Sequence, residues 1–122
     1  MHIEVRVKDL ELSLKERELI ERRVQTALGR HGRHIANVRV MLRDINGPRG
    51  GADKKCSLQI TGLRSWSVNL TELGDDPLVA VDKVVDRAVI SVERAISRAR
   101  TIKHKFEDLH QSQIHDWQFE AV

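Results

Sequence analysis

The stretch that most constrains the fold of this chain is a long amphipathic segment over residues 75–105. Asp76 is a typical helix-capping residue and Pro77 suits the first helical position, so the pattern predicts one helix that continues to Lys105. Its apolar residues recur at steps of three and four on one side: Leu78, Val81, Val84, Val85, Ala88, Val89, Val92, Ala95, Ile96 and Ala99. That side must be buried against the rest of the domain.

The same helix carries cations on another flank. They follow the helical period at Lys83, Arg87, Arg94, Arg98 and Lys105. A charged flank is usually no more than a solvated surface. Here, however, Glu93 is the only acid between Arg87 and Lys105. The sequence therefore predicts a nearly unbroken basic stripe along this helix.

The formal net charge of the 122-residue chain is +3, but the charge is unevenly distributed. Residues 106–122 contain four acids and no Lys or Arg, which leaves +7 on residues 1–105. The length fits one domain. We predict that residues 1–105 form this domain and that residues 106–122 form an acidic, flexible tail. A segregated basic body suggests a polyanionic partner.

Two strands and a helix precede the middle of the chain. Residues 2–8 alternate between apolar and polar side chains, which predicts a strand with one solvated face. Ser13 and Glu16 form the sequence of a capping box and open a first helix, which ends near Gly29 or Gly32. Residues 37–44 alternate again. A strand, a helix and a strand joined by short links predict that the two strands are parallel.

A glycine-rich loop over residues 45–53 separates this unit from a hairpin. The loop lacks the spacing of a phosphate-binding loop, so no nucleotide site is predicted there. Two further alternating strands follow, joined by a turn at residues 62–64, and the fourth begins with Trp66. We predict an α+β two-layer fold, β-α-β-β-β-α, with a four-stranded mixed sheet and both helices on one face.

The other face of the predicted sheet is open and basic. It carries Arg6, Lys8, Arg39, Arg43 and Lys55. Together with the helix stripe, these cations suit contacts with phosphates. The chain has only two Trp and two Phe, and none is predicted on this face, so base stacking is not expected. The pattern favours recognition of the shape and backbone of folded RNA.

No group of residues predicts catalysis. His31 and His34 are close in sequence, but no carboxylate or thiol set completes a metal site. Cys56, the only cysteine, falls at an apolar position and is predicted to be a packed thiol. The chain has no run of about 18 apolar residues. We therefore predict a cytoplasmic protein that is not an enzyme, without cofactor, metal, membrane contact or small-molecule substrate.

Three segments together resemble a known family. They are Leu12-Ser13 at the first helix, Ile35-Ala36-Asn37-Val38-Arg39-Val40 entering the second strand, and Ala80-Val81-Asp82-Lys83-Val84-Val85-Asp86-Arg87 in the last helix. Their order and spacing over residues 2–105 resemble the bacterial hibernation promoting factor and ribosome-associated inhibitor family, also called sigma-54 modulation or ribosomal subunit interface proteins.

The resemblance implies a partner and a role. It implies binding to the small ribosomal subunit and its RNA, in the groove where messenger and transfer RNA lie, which keeps idle ribosomes inactive in stationary phase or stress. Lys83, Arg87 and Arg94 match basic positions of the family's last helix, whereas Ile90 and Glu93 stand where relatives often have basic residues. The chain resembles a short form or a divergent member of the family, and residues 47–51 look like an insertion.

One alternative remains open from sequence. The basic face also suits a regulatory module of the sigma-54 modulation type that binds an acidic protein. The apolar and aromatic residues of the 106–122 tail are a possible contact for a protein partner.

Overall fold

The elements follow one another in the predicted order. The computed structural model describes residues 1–45 and 53–101 with their side chains and residues 102–120 as backbone only. The elements are β1 (His2–Lys8), α1 (Leu14–Leu28), a 3-10 helix (Gly29–His34), β2 (Ile35–Asp44), β3 (Lys54–Gly62), β4 (Ser67–Gly74) and α2 (Pro77–Glu120). Residues 46–52, which hold the predicted glycine-rich loop, lie outside the described part.

The strands form one mixed sheet in the order β1-β2-β3-β4. β1 and β2 are parallel, as predicted, whereas β2 with β3 and β3 with β4 are antiparallel. β1 and β4 are thus the two edge strands. Both helices pack on one face of the sheet, with α2 mainly against β4 and β3 and with α1 against β1. The α+β class is confirmed.

Both helices begin with the caps that the sequence predicts. Ser13 Oγ accepts a hydrogen bond from the Glu16 backbone N–H at 3.1 Å, and Glu16 Oε1 accepts one from the Ser13 N–H at 3.2 Å, which completes the capping box of α1. At α2, Asp76 Oδ1 accepts a hydrogen bond from the Leu78 N–H at 2.8 Å. These bonds satisfy backbone donors that have no partner inside a helix.

The core lies between the two helices and the inner face of the sheet. Its most deeply buried large side chains are Ile20, Leu28, Ile35, Leu42, Leu58, Ile60, Val24, Val38, Val40, Val81, Val84 and Val92. The apolar periodicity of α2 is thereby confirmed, because Val85 and Val92 are buried. The same holds for the strands, whose inner residues alternate with exposed polar ones.

Trp66, which the alternating pattern places at the start of the fourth strand, packs against this core but is only partly buried. Trp66 is half-buried and precedes β4 instead of starting it. Its carbonyl accepts a hydrogen bond from the Gly62 N–H at 2.8 Å, and its ring lies over Gly62, where a Cβ atom would collide with it. The indole therefore covers the turn between β3 and β4. An alternating pattern cannot distinguish a strand residue from a turn residue at the strand's first position.

α2 is longer than the sequence pattern predicts. The helix was expected to end at Lys105, but its backbone continues to Glu120. The physical reason is that residues 78–120 contain neither Gly nor Pro, so no residue interrupts the helix. The side chains of residues 102–120 lie outside the described part. The division into a 1–105 domain and a flexible 106–122 tail stays a prediction.

No helix, over the residues that the structure describes, is both long and apolar enough to cross a membrane.

Gly74 allows α2 to approach the end of β4, so its substitution should destabilise the domain. A Cβ atom at this buried position would lie 2.8 Å from the Ala80 backbone nitrogen. That nitrogen donates to the Asp76 carbonyl at 3.1 Å, so it cannot move without weakening the first turn of α2. We expect Gly74→Ala to reduce the free energy of unfolding by about 1–3 kcal/mol in a thermal or urea melt.

Gly29→Ala is the matched control for this prediction. Gly29 is exposed, its φ is −59°, and a Cβ atom there would meet only the Gln25 side chain at 3.4 Å. Because Ala adopts this helical conformation without strain, Gly29→Ala should leave the stability unchanged or raise it by up to about 1 kcal/mol. Equal melting temperatures for wild type and Gly74→Ala would contradict the close approach.

Candidate nucleic-acid interface

The two flanks of α2 differ in charge and in what they face. The acidic flank faces α1 and the 3-10 helix: Arg23 of α1 donates a hydrogen bond to Asp82, and His31 Nε2 lies 3.4 Å from Glu93 Oε1. These contacts partly neutralise the acids of the helix within the protein. The charge that α2 presents to solvent is therefore determined mainly by the cations of the opposite flank.

The first two predicted cations of that flank lie along the free edge of β4. Lys83 Nζ donates to the Leu73 carbonyl at 3.2 Å, whereas Arg87 Nη1 contacts the Thr71 carbonyl at 3.5 Å and Glu72 Oε1 at 2.6 Å. They cover backbone acceptors that an edge strand otherwise offers to another chain. Both side chains are exposed, but their charges are partly engaged within the protein.

Arg94 and Arg98 continue the same flank of α2. They are one helical turn apart and exposed. Neither forms a hydrogen bond or an ion pair with any residue of the described part. Their guanidinium groups are therefore available to an external anion. The remaining predicted cation of this helix, Lys105, belongs to the residues whose side chains are not described.

On the outer face of the sheet, three cations form a row across three strands. The strand register places Lys8 opposite Arg43 and Arg43 opposite Lys55. Adjacent strands are about 4.8 Å apart, so these side chains are close neighbours, and like charges directly opposite each other are unfavourable. None of the three has an anionic partner among the described residues. A bound anion would relieve this repulsion.

The other two predicted cations of this face share one acid. Arg6 Nε lies 2.6 Å from Glu4 Oε1, and Arg39 Nε lies 3.4 Å from Glu4 Oε2. The hydrogen bond from Arg6, together with the charges of both arginines, lowers the pKa of Glu4 despite the opposing effect of burial. Glu4 is thus ionised at neutral pH. This cluster carries one net positive charge instead of two.

The sheet row and the helix flank meet at β4. Lys55 pairs with Leu73 across the strands, and the Leu73 carbonyl in turn accepts the hydrogen bond from Lys83. The cations therefore follow one path across the sheet, around its edge and along the helix. We call this path the cationic band, and it consists of Lys8, Arg43, Lys55, Lys83, Arg87, Arg94 and Arg98.

Lys54, the residue next to this band, has a structural role that the sequence did not predict. Its Nζ atom lies 2.9 Å from Asp44 Oδ2 and 3.2 Å from Asp53 Oδ1, and Asp53 is buried. The hydrogen bond to Asp44 raises the pKa of Lys54 against the opposing effect of burial, with further help from Asp53. This ion-pair cluster joins the facing ends of β2 and β3. Lys54 is therefore not counted in the band.

Two solved structures have this architecture. One is a ribosomal subunit interface protein from Coxiella burnetii, with a TM-score of 0.66, 18% sequence identity, and coverage of 80% of this chain and 99% of that one. The other is the N-terminal domain of Thermus thermophilus Protein Y, with a TM-score of 0.63, 20% identity, and coverage of 77% and 98%. This chain has the hibernation-factor fold.

The resemblance seen in the sequence is thus confirmed for the hibernation-factor fold. A scan of family models and a search of curated protein sequences found no match to this chain. Since the identities are low, the likeness establishes architecture, and the functional argument depends on the side chains of this chain.

One departure from the pattern of the family that the sequence resembles is explained by position. The resemblance sets Glu93 where relatives often have a basic residue. Glu93 faces His31 of the 3-10 helix, whereas Arg94 and Arg98 lie on the opposite flank of α2. Its carboxylate therefore does not interrupt the cationic band. Ile90, the second departure, is exposed between the two flanks.

Cys56 is a packed thiol, and the histidines of the described part belong to no group that could hold a metal ion. Cys56 is fully buried, and this burial raises its pKa to about 12, so the group is a protonated thiol at neutral pH. In the described ranges, residues 1–45 and 53–101, no three His, Cys, Asp or Glu side chains are grouped to hold a metal ion. The structure supports the interpretation of Cys56 as a packing residue.

Proposed function

We propose that this protein binds the RNA of the small ribosomal subunit through the cationic band and occupies the groove for messenger and transfer RNA. Bound there, it keeps idle ribosomes from translating. The observation that carries the proposal is a band of cations, five of them without a partner in the described part, on a fold shared with a ribosomal subunit interface protein. The role is that of a steric inhibitor and needs no catalysis.

The chemistry of the band suits phosphates better than bases. The outward residues of the four strands include no Phe, Tyr or Trp, so the sheet offers no stacking platform of the kind that readers of single-stranded RNA use. The Lys and Arg side chains of the band, which lie on the sheet and along α2, instead suit the neutralisation of backbone phosphates. Binding should therefore follow the shape of folded RNA and should depend little on its sequence.

This mode of binding predicts a strong dependence on salt. Each phosphate that the protein neutralises releases counterions and contributes roughly 0.7–0.9 to the slope of log K against log salt concentration. If the five unpartnered cations of the band each contact one phosphate, the slope is about −4. An acidic protein partner would also be bound electrostatically, so salt dependence alone does not separate it from RNA.

The direct test is co-sedimentation with purified ribosomal subunits. We expect the protein to pellet with small subunits and not with large ones. Small subunits to which messenger and initiator transfer RNA have been bound beforehand should no longer bind the protein. A translation extract should be inhibited over the same range of protein concentration. Pelleting equally with both subunits, or with small subunits irrespective of messenger and transfer RNA, would refute occupancy of the groove. Binding to neither subunit would favour the protein-binding alternative.

A further inference from the structure

A second basic surface lies at the opposite end of the sheet from the row of Lys8, Arg43 and Lys55. It is formed where the 3-10 helix enters β2, where β3 turns into β4, and where α2 passes both. β2 separates the two surfaces by eight residues, which corresponds to roughly 27 Å. We call this second surface the arginine–histidine corner, and it consists of His31, Arg33, His34, Arg64 and Arg100.

Three elements that are distant in sequence bring these residues together. The Leu63 N–H donates to the His34 carbonyl at 3.0 Å, which ties the β3–β4 turn to the 3-10 helix. The turn itself is closed by the hydrogen bond between Gly62 and Trp66. The position of Arg64 beside His34 is therefore fixed by the backbone and does not depend on a flexible loop.

The charges of the corner are not balanced within the described part of the chain. Arg33, Arg64 and Arg100 are exposed, and none of them forms an ion pair there. Among the residues with described side chains, the one carboxylate in contact with the corner is Glu93, which pairs with His31. The positive charges of these three arginines all act on the half-buried imidazole of His34, and like charges held near one another repel.

The protonation of His34 is affected by its burial and by these neighbouring positive charges. Partial burial, followed by the charges of Arg33, Arg100, His31 and Arg64, lowers its pKa below the ordinary value. The imidazole is thus neutral at pH 7 in the free protein. An anion placed among the arginines would oppose their charges and favour the imidazolium form. Binding of an anion should therefore be coupled to uptake of a proton by His34.

We propose that the arginine–histidine corner is a second binding site for RNA phosphate, separate from the cationic band, and that binding there protonates His34. The ligand, RNA phosphate, is the same as in the proposed function, on which this inference rests. The site is new, and it adds a dependence of RNA affinity on pH. Because the free-state pKa lies below the ordinary value of about 6.5 and the bound-state pKa lies above the free one, RNA affinity rises as the pH falls through this interval.

The test of the site itself uses inorganic tripolyphosphate as the probe and NMR of the imidazole ring as the readout. We expect tripolyphosphate to shift the backbone amides of Arg33, Arg64 and Arg100 and to raise the pKa of His34. An unchanged His34 pKa, with shifts confined to the residues of the cationic band, would overturn the proposal. This measurement needs no ribosome, so its outcome is independent of the proposed function.

The test with RNA uses a fluorescein-labelled RNA hairpin and two variants of equal charge change. We expect Arg64→Glu with Arg100→Glu to reduce the salt slope by about two, since two phosphate contacts are lost. Lys15→Glu with Arg22→Glu on α1 is the control, because both residues are exposed and neither has a partner in the described part. Equal losses in the two variants would show only nonspecific attraction and would overturn the site.

The coupling to protons is tested with His34→Gln. Wild type should bind the hairpin more tightly at about pH 6 than at about pH 7.5, whereas this ratio should be markedly smaller in His34→Gln, in which only His31 of the corner can still gain a proton. An undiminished pH dependence in His34→Gln would overturn the role of His34. If wild type fails to pellet with ribosomal subunits but keeps this pH dependence on the hairpin, the groove proposal fails and the corner stands.

Discussion

Replacing Val92 by Asp is expected to abolish the cooperative folding of the domain. Val92 is fully buried on the face of α2 that packs against the sheet. A carboxylate at this position has no described partner and costs several kcal/mol, which is a large part of the roughly 5–15 kcal/mol that stabilise a typical domain. Circular dichroism during a thermal melt should show a broad or absent transition.

Ile90→Asp is the control for this substitution. It introduces the same carboxylate two residues away, but Ile90 is 53% exposed, so the charge stays in water. The expected change in the free energy of unfolding is within about 0.5 kcal/mol. If Val92→Asp melts like Ile90→Asp, the assignment of the buried face of α2 is wrong.

Reversing the charges of Arg94 and Arg98 should abolish co-sedimentation with small ribosomal subunits. Arg94→Glu with Arg98→Glu removes two cations from the cationic band and adds two anions that repel phosphates. Because both side chains are exposed and without partners in the described part, the melting temperature should hardly change. Any RNA affinity that this variant retains should depend less steeply on salt, with a slope of log K against log salt concentration reduced by about two.

The choice of residues for this test follows from their contacts. Arg87→Glu would place a carboxylate beside Glu72, and Arg17→Glu would remove the hydrogen bond that joins α1 to the Val5 carbonyl at 2.9 Å, so both changes would mix stability with binding. Lys15→Glu with Arg22→Glu carries the same charge change on α1 and is a better control than a variant that includes Arg17→Glu. Retention of ribosome binding by the Arg94 and Arg98 variant would remove the physical basis of the proposal.

The fold was predictable because its determinants are local. β1 was predicted with the observed bounds, and the caps of both helices were predicted from one or two residues each. The predictions failed where a pattern ends or is broken. In the second half of β4, the positions that face the core are occupied by Glu72 and Gly74, which are not apolar, so the alternating pattern is lost there. The 3-10 helix over Gly29–His34 has no strong periodic signal.

The candidate site was predictable as a set of cations but not as an arrangement. Sequence patterns place Arg6 and Arg94 equally on exposed faces, yet Arg6 is engaged by Glu4 and Arg94 is unpartnered in the described part. This difference depends on strand register and helix rotation, which no single segment encodes. The arginine–histidine corner was missed because Arg33, Arg64 and Arg100 belong to three segments that meet only in the folded chain.

The most direct test of the account is a cryo-electron microscopy reconstruction of small ribosomal subunits incubated with the wild-type protein. The account predicts density for the domain in the groove for messenger and transfer RNA, with Arg94, Arg98 and the row of Lys8, Arg43 and Lys55 against ribosomal RNA phosphates. Density at another place on the subunit, or a domain in the groove whose cationic band faces solvent, would contradict it.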